Sequence, residues 1–247
     1  MLAEERFSKI LSIIEEAGSV TVQDLMEELG ASESTIRRDL NTMDANGLLV
    51  KVFGGAVAKN TNIRTQDEKV DNRKLQNIEE KVAIAKYAAS LIQSGDFVYI
   101  DAGTSTELVI DYIKAANVTF VTNSLTHAKK LSDKGYTVYI LGGEFKSTTE
   151  AIVGEEAVET LDKYNFTKGF WGTNGVNITK GFTTPEVKEA MVKKKSMENC
   201  KERYVLADSS KFSQISSVKF SEFENATIIT TELRNASYMK YKNIKEV

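Results

Sequence analysis

The sequence predicts an α/β protein in two parts: a small helical unit closed by a hairpin, then a larger domain in which strands and helices alternate. Three observations lead there. Residues 1–58 carry apolar positions at helical spacing three times over and then a Gly-Gly turn. From Ile78 onward, short β-rich runs alternate with helical ones, the pattern of βαβ units in a mostly parallel sheet. Residues 59–77 between them are polar and mixed in charge, with almost no apolar periodicity before Val70. They read as a linker that gains a helix near its end. The expected boundaries are therefore 1–58, 59–77 and 78–247, which suits 247 residues at roughly 150 residues per domain.

Within the first part, Phe7, Ile10, Leu11 and Ile14 fall at i, i+3, i+4, i+7 on a helix ending near Ala17-Gly18. Thr21, with Asp24 three residues on, caps a second helix whose Leu25, Met26 and Leu29 face inward, and Gly30 breaks it. Ser32 caps a third, which stops at Asn46-Gly47. The run Leu48–Phe53 and the Gly54-Gly55 turn then make a hairpin. Helix, helix, turn, helix, hairpin is the order of a winged helix-turn-helix.

In the second part, Val82, Ala85, Ala89 and Ile92 mark the opening helix. Strand candidates are Phe97–Asp101, Val118–Thr122, Tyr136–Leu141, Gly169–Gly172, Arg203–Ala207 and Thr227–Thr230. Glu107–Ala116, Leu125–Lys134, Glu155–Tyr164 and Glu186–Cys200 are the helical stretches between them.

Composition excludes several chemistries. A lone Cys200 forms no internal disulfide and suits a reducing cytoplasm. One His and one Cys supply two of the four ligands of a structural zinc site, so no metal is expected. The N-terminus has early acids and no apolar core of a signal peptide. No run approaches the ~18 apolar residues of a membrane span.

The third helix carries the sharpest signal. At about 100° per residue, Ile36, Leu40 and Met43 form one stripe, and Ser34, Arg37, Arg38 and Asn41 share the opposite face. Guanidinium forks with small hydrogen-bonding groups match guanine, adenine and phosphate in the major groove of double-stranded DNA. The bland reading is a solvated Arg-Arg pair. Net charge argues against nucleic acid: residues 1–58 hold five basic residues (Arg6, Lys9, Arg37, Arg38, Lys51) against ten acidic ones, so -5 of a total of -3, leaving +2 for the rest. Placement outweighs the sum, because both arginines face outward on one helix.

In open α/β sheets ligands bind at strand C-termini, and five polar loops sit there. Asp101-Ala102-Gly103-Thr104-Ser105-Thr106 leads from a strand into a helix, where backbone N–H groups and hydroxyls can surround a phosphate. Thr122-Asn123-Ser124, Leu141-Gly142-Gly143, Gly172-Thr173-Asn174-Gly175 and Asp208-Ser209-Ser210-Lys211 follow later strands. Each alone is usually only a turn. Glu189 and Lys193, four apart on one helix, read blandly as a surface ion pair, but follow Gly181–Pro185, which looks like a loop closing over a site. His127 reads as a surface or loop-facing residue, Trp171 as core and Cys200 as a packed or partly exposed thiol.

Ser32-Glu33-Ser34-Thr35-Ile36-Arg37-Arg38-Asp39-Leu40 closely resembles the recognition-helix signature of the DeoR family of bacterial transcription regulators. Gly47-Leu48-Leu49 and Gly54-Gly55-Ala56 look like its wing, and Met1–Arg6 fits its opening. Lys51-Val52-Phe53 departs from the usual Arg-Val-His: a basic phosphate contact survives as Lys51, and a His contribution at position 53 is lost. Glu189–Lys193 resembles the family's Glu-Ala-x-Val-Lys, and the ordered loop series is specific to it. The resemblance covers essentially the whole chain.

It implies a C-terminal domain similar to the ribose-5-phosphate isomerase and CoA-transferase fold, binding a phosphorylated sugar and needing no cofactor. Gly181–Pro185 and Tyr204–Asp208 look most like fructose-operon repressors, which implies fructose 1-phosphate. The DNA-contacting set implied is Ser32, Ser34, Thr35, Arg37, Arg38, Asn41 and Lys51. The effector set comprises Asp101, Gly103, Thr104, Ser105, Thr106, Thr122, Asn123, Ser124, Gly142, Gly143, Gly172, Asn174, Gly175, Glu189, Lys193, Asp208 and Lys211. The expected function is a repressor of a sugar-utilisation operon, a homo-oligomer (dimer or tetramer) in the cytoplasm, released from operator DNA by its effector. The alternative is a sugar-phosphate isomerase with an accessory DNA-binding head, for which Asp101, Glu189 or Asp208 would be the general base.

Overall fold

The computed structural model describes residues 2–17, 19–58, 63, 65–233, 238 and 241–247. It divides into two compact units, residues 1–62 with 233–242, and 63–232 with 243–247.

The first unit contains α1 (Ala3–Ala17), β1 (Ser19–Thr21), α2 (Val22–Leu29), α3 (Glu33–Ala45), β2 (Leu49–Val52) and β3 (Gly55–Ala58). Its core gathers Ile10 and Ile14 of α1, Leu25 of α2, Ile36, Leu40 and Met43 of α3, and Leu49 of β2. The capping box at Thr21 is complete: its hydroxyl accepts from Asp24 N at 3.1 Å and its own N–H donates to Asp24 Oδ2 at 3.2 Å. Gly30 ends α2 in the left-handed region (φ 60°).

The strands form an antiparallel sheet in the order β1-β3-β2. Sequence reading finds the β2–β3 hairpin but not β1, whose three residues have no local partner and pair only with β3. Gly55 makes that pairing possible, because a Cβ there would lie 2.1 Å from Val20 O.

The second unit begins within the segment read as a linker. Residues 59–62 and 64 lie outside the described residues; the remainder up to Asn77 belongs with the second unit. There follow α4 (Val70–Leu75), α5 (Ile78–Ser90), β4 (Phe97–Ile100), α6 (Thr104–Tyr112), β5 (Thr119–Thr122), α7 (Leu125–Asp133) and β6 (Thr137–Ile140). Next come β7 (Glu144–Lys146), β8 (Ala151–Val153), α8 (Glu155–Leu161), β9 (Phe166–Gly172), β10 (Gly175–Asn177), β11 (Gly181–Thr184) and α9 (Val187–Glu198). The chain closes with β12 (Cys200–Leu206), β13 (Val218–Ser221), β14 (Thr227–Thr230) and β15 (Ile244–Glu246).

Seven strands make one parallel sheet, ordered β15-β14-β12-β9-β4-β5-β6. Both faces are covered, as a parallel sheet requires. On one, Ile84, Ala85 and Ala88 of α5, Val109 and Ile110 of α6 and Leu131 of α7 pack on Val98, Ile100, Phe120 and Phe170. On the other, Trp171, next to Phe170 and so pointing the opposite way, is wholly buried and donates from Nε1 to Ser196 Oγ of α9 at 2.9 Å.

Gly181–Pro185 corrects the sequence reading. It is not a closing loop: Gly181–Thr184 is β11, the buried middle strand of a small antiparallel sheet, β10-β11-β13. Helix α6 starts at Thr104, not Glu107. Among the described residues no helix is long and apolar enough to cross a membrane.

Candidate functional site

In the first unit, the N-cap Ser32 accepts from Thr35 N at 3.4 Å, and its hydroxyl lies 3.1 Å from Ser34 Oγ and 2.9 Å from Thr35 Oγ1. Ile36, Leu40 and Met43 are wholly buried, while Ser34, Arg37, Arg38 and Asn41 are exposed. Two of these hold provisional partners. Arg37 folds back on Glu33, with Nε 2.8 Å from Oε1. Lys51 Nζ donates to Asn41 Oδ1 at 2.6 Å, and Lys51 N to Asp44 Oδ1 at 3.0 Å, which ties the wing to α3. Phe53 at the wing tip is fully exposed.

Sequence reading missed one structural pair. Asp39, 3% exposed, receives Arg6 Nε at 2.6 Å and Nη2 at 3.1 Å, a fork that raises the Arg6 pKa. Three residues after Ile36, Asp39 flanks the core stripe, and that position was the available signal. Arg6 is therefore committed to holding α1 against α3.

In the second unit, the strand ends bring three polar clusters together. The first surrounds the start of α6. Thr106 Oγ1 donates to Asp101 O (2.6 Å) and Gly103 O (2.8 Å), shaping the turn, and Ser105 is half-buried. Thr104 Oγ1 accepts from Lys81 Nζ at 3.2 Å, and Lys81 also donates to Arg73 O at 2.5 Å. Burial lowers the Lys81 pKa, opposed by the charge of Asp208 and aided by Lys211 and Arg73. Lys81 was not anticipated, although it continues the apolar face of α5 at i, i+3, i+4, i+7 with Ile84, Ala85 and Ala88. Asp208 accepts from Asn77 Nδ2 at 2.9 Å and Ser210 N at 3.1 Å, with Lys211 Nζ 3.8 Å from its other oxygen.

The second cluster joins Asp101, Gly172 and Lys193. Lys193 Nζ pairs with Asp101 Oδ2 and donates to Gly172 O at 3.1 Å, while Gly172 N donates back to Asp101 Oδ2 at 3.2 Å. Asp101 is 1% exposed, and its Oδ1 has no hydrogen-bond partner among the described residues. Burial raises its pKa against the pull of Lys193.

The third centres on Glu189, 6% exposed. It accepts from Thr149 Oγ1 (2.5 Å), Lys146 Nζ (3.1 Å) and Thr184 Oγ1 (3.4 Å). Burial opposes its ionisation, but Lys193, Thr149 and Lys146 together hold its pKa below the usual value. Thr184 Oγ1 also reaches Asn174 Oδ1 at 3.3 Å. Glu189 and Lys193 are thus no surface pair: each is buried and bonded to distant residues.

The remaining expected residues serve the loops. Asn123 Oδ1 accepts from Ala102 N at 2.8 Å, joining two strand ends. Thr122 Oγ1 accepts from Ser124 N at 3.1 Å, and Ser124 Oγ caps α7 through His127 N at 3.3 Å. Gly142 and Gly143 are exposed where β6 leads into β7. Gly175 is required by packing, since a Cβ would sit 2.3 Å from Gln214 O. His127 is not surface-facing but 2% exposed. Cys200 is packed, its pKa pushed up to about 12 mainly by burial.

A helix-turn-helix head followed by an α/β domain with a polar cluster at its strand ends defines a DNA-binding transcriptional regulator with a sensor domain. The chain belongs to the DeoR family of transcriptional regulators: residues 6–62 match the DeoR-like helix-turn-helix domain and residues 76–233 the DeoR C-terminal sensor domain. It is a regulator and not an enzyme, which removes the isomerase reading. It is 42% identical to an uncharacterized HTH-type transcriptional regulator FruR of Bacillus subtilis (strain 168), over 98% of this chain and 96% of that one. It is 34% identical to the HTH-type transcriptional regulator IolR of the same organism, over 93% and 92%. Among solved structures, ribose 5-phosphate isomerase A from Methanocaldococcus jannaschii superposes with a TM-score of 0.40 and 18% identity, over 56% of this chain and 55% of that one.

Proposed function

We propose that residues 1–58 read double-stranded operator DNA, and that residues 78–247 bind a phosphorylated sugar whose arrival releases the protein from it. One observation carries the reading of the head: Ser34, Arg37, Arg38 and Asn41 are exposed opposite a stripe that is wholly buried. Arg37 and Arg38 fit guanine edges and Asn41 an adenine, with Ser32, Ser34, Thr35 and Lys51 positioning the helix and wing on phosphates. One head reads few base pairs, so specificity calls for a homo-oligomer, a dimer or tetramer, on paired or repeated half-sites.

For the effector, Lys81 and Lys211 near the start of α6 offer two cations beside its free N–H groups, a setting for phosphate. Asp101, Asn174, Glu189 and Lys193 offer donors and acceptors to sugar hydroxyls. Fructose 1-phosphate is the favoured effector and a fructose operon the favoured target, supported by the FruR relative at 42% identity. To act as a switch, the sugar must bind one arrangement of the heads more tightly than the other.

The test is a melting-temperature survey across hexose and pentose phosphates, followed by operator titration with fluorescence anisotropy. A true effector at about a hundred times its Kd stabilises the sensor by about 2.7 kcal/mol. The expected result is stabilisation by fructose 1-phosphate and weaker operator binding in its presence. A tightened complex would reverse the sign, and a flat survey would remove the sugar-phosphate reading.

A further inference from the structure

The Glu189 cluster contains a carboxylate that does not come from the strand-end loops. Asp67 lies on the chain between the head and α4, yet its side chain is only 3% exposed. Its oxygens receive Lys146 Nζ of β7 at 2.7 Å and Asn174 Nδ2, after β9, at 3.4 Å, partners 79 and 107 residues away. Lys146 continues to Glu189 and Asn174 to Thr184, so the carboxylate is built into the cluster. Burial works against the Lys146 charge, but its hydrogen bond to Asp67 and the charges of Glu189 and Asp67 raise its pKa above the usual value.

The arrangement has a consequence for any ligand. Glu189 already accepts from three donors, and two donors of this cluster, Lys146 and Asn174, are turned toward Asp67. An entering sugar needs those donors for its own oxygens. If Asp67 leaves, Lys146 keeps Glu189 as counter-charge, so a neutral carbonyl or hydroxyl oxygen suffices as replacement and no second anion is required. A tethered carboxylate competes at an effective concentration on the order of millimolar, enough to occupy the site when empty and to yield to a specific ligand.

We propose that Asp67 is an internal occupant of the effector site, displaced from Lys146 and Asn174 by carbonyl or hydroxyl oxygens of a bound sugar phosphate. Displacement frees the stretch of chain that leads to the head, five residues beyond residue 62, where the N-terminal segment of the first unit ends. Binding thereby reaches the DNA reader through the covalent chain. This inference rests on the proposed effector site.

The test compares the full-length protein with Asp67→Asn, which keeps the side chain's shape and removes its charge. Two quantities are measured: affinity for fructose 1-phosphate by calorimetry, and operator affinity without any sugar. Removing an occupant docked about nine-tenths of the time raises apparent effector affinity about tenfold. By the same linkage the variant behaves as if partly induced, and binds operator more weakly without sugar. Unchanged or weaker sugar binding by the variant, with the wild type binding normally, overturns the role of Asp67 and leaves the effector site standing. If neither protein binds fructose 1-phosphate, the effector assignment fails instead. Sugar-free operator affinity then decides for Asp67, a loss supporting its docking role and an unchanged value ending it.

Discussion

In the head, Arg37 and Lys51 lie at the surface and hold near neighbours, Glu33 one turn back and Asn41 across the wing. In the sensor, Asp101 and Lys193 are buried and 92 residues apart in sequence. The surface pairs cost little to break, since exposed pairs are worth about 0–1 kcal/mol, so in the proposed DNA complex bases and phosphates would replace Glu33 and Asn41 as partners. The buried pair is different: either partner alone would be a charge without compensation in the interior. Charged side chains thus form exposed, weakly held pairs in one domain and a buried, tightly held pair in the other.

The largest effect expected from this contrast is at Lys193. Lys193→Met leaves Asp101 buried beside an apolar side chain, with its Oδ1 already lacking a partner among the described residues. The sensor should lose about 3–5 kcal/mol, read from its urea unfolding transition. A loss below about 1 kcal/mol would mean that Asp101 and Lys193 behave like the surface pairs, and the contrast would collapse.

Arg37→Ala is the counterpart in the head. Stability should stay within about 0.5 kcal/mol, as for a surface substitution, while specific operator binding weakens by about 1–3 kcal/mol with relaxed preference at one base pair. Gel-shift titration against operator and single-base variants checks it. Equal loss on every sequence would move Arg37 from base reading to phosphate contact.

The two domains also differed in how much could be read from the chain. Periodicity alone put Ile36, Leu40 and Met43 inside and Arg37, Arg38 and Asn41 outside, because a helix surface is set by local geometry. Six of the seven parallel strands were equally legible as apolar runs, and β15 was not. The strand β1 and the sheet β10-β11-β13 were not either: they are three or four residues long, and although β10 and β11 form a hairpin, β1 and β13 pair only with strands far along the chain. Gly181–Thr184 read as a loop because its Gly-Phe-Thr-Thr carries no signature of the buried neighbours that make it a strand. Loop chemistry singled out Asp101 and Asn174, and helical spacing with the family motif singled out Glu189 and Lys193, whereas Lys81, Lys146 and Asp67 escaped. A Lys on an apolar helix face leaves a trace in the spacing; a carboxylate in a polar linker that folds back onto Lys146 and Asn174 leaves none.

The smallest effect, again in the sensor, is on acid stability. His127 is the single histidine of the chain. Burial, with the charges of Lys130 and Lys74 and against the Gly103 carbonyl, pushes its pKa down to about 3, and its Nδ1 has no hydrogen-bond partner among the described residues. In the unfolded chain an imidazole titrates near pH 6.5. Between about 6.5 and 3 the unfolded state therefore holds a proton that the folded state refuses. This group's contribution to stability rises with pH through that window and falls as acid is added, at up to about 1.4 kcal/mol per pH unit. His127→Gln removes the proton from both states. Sensor stability measured by urea unfolding at pH 7, 6 and 5 should fall more steeply for the wild type than for the variant, with the gap between the two curves closing toward acid. The head holds no histidine, so its transition should show no such difference. Parallel curves for the sensor would mean that His127 takes up a proton in the folded state, and that its surroundings are wetter than 2% exposure implies.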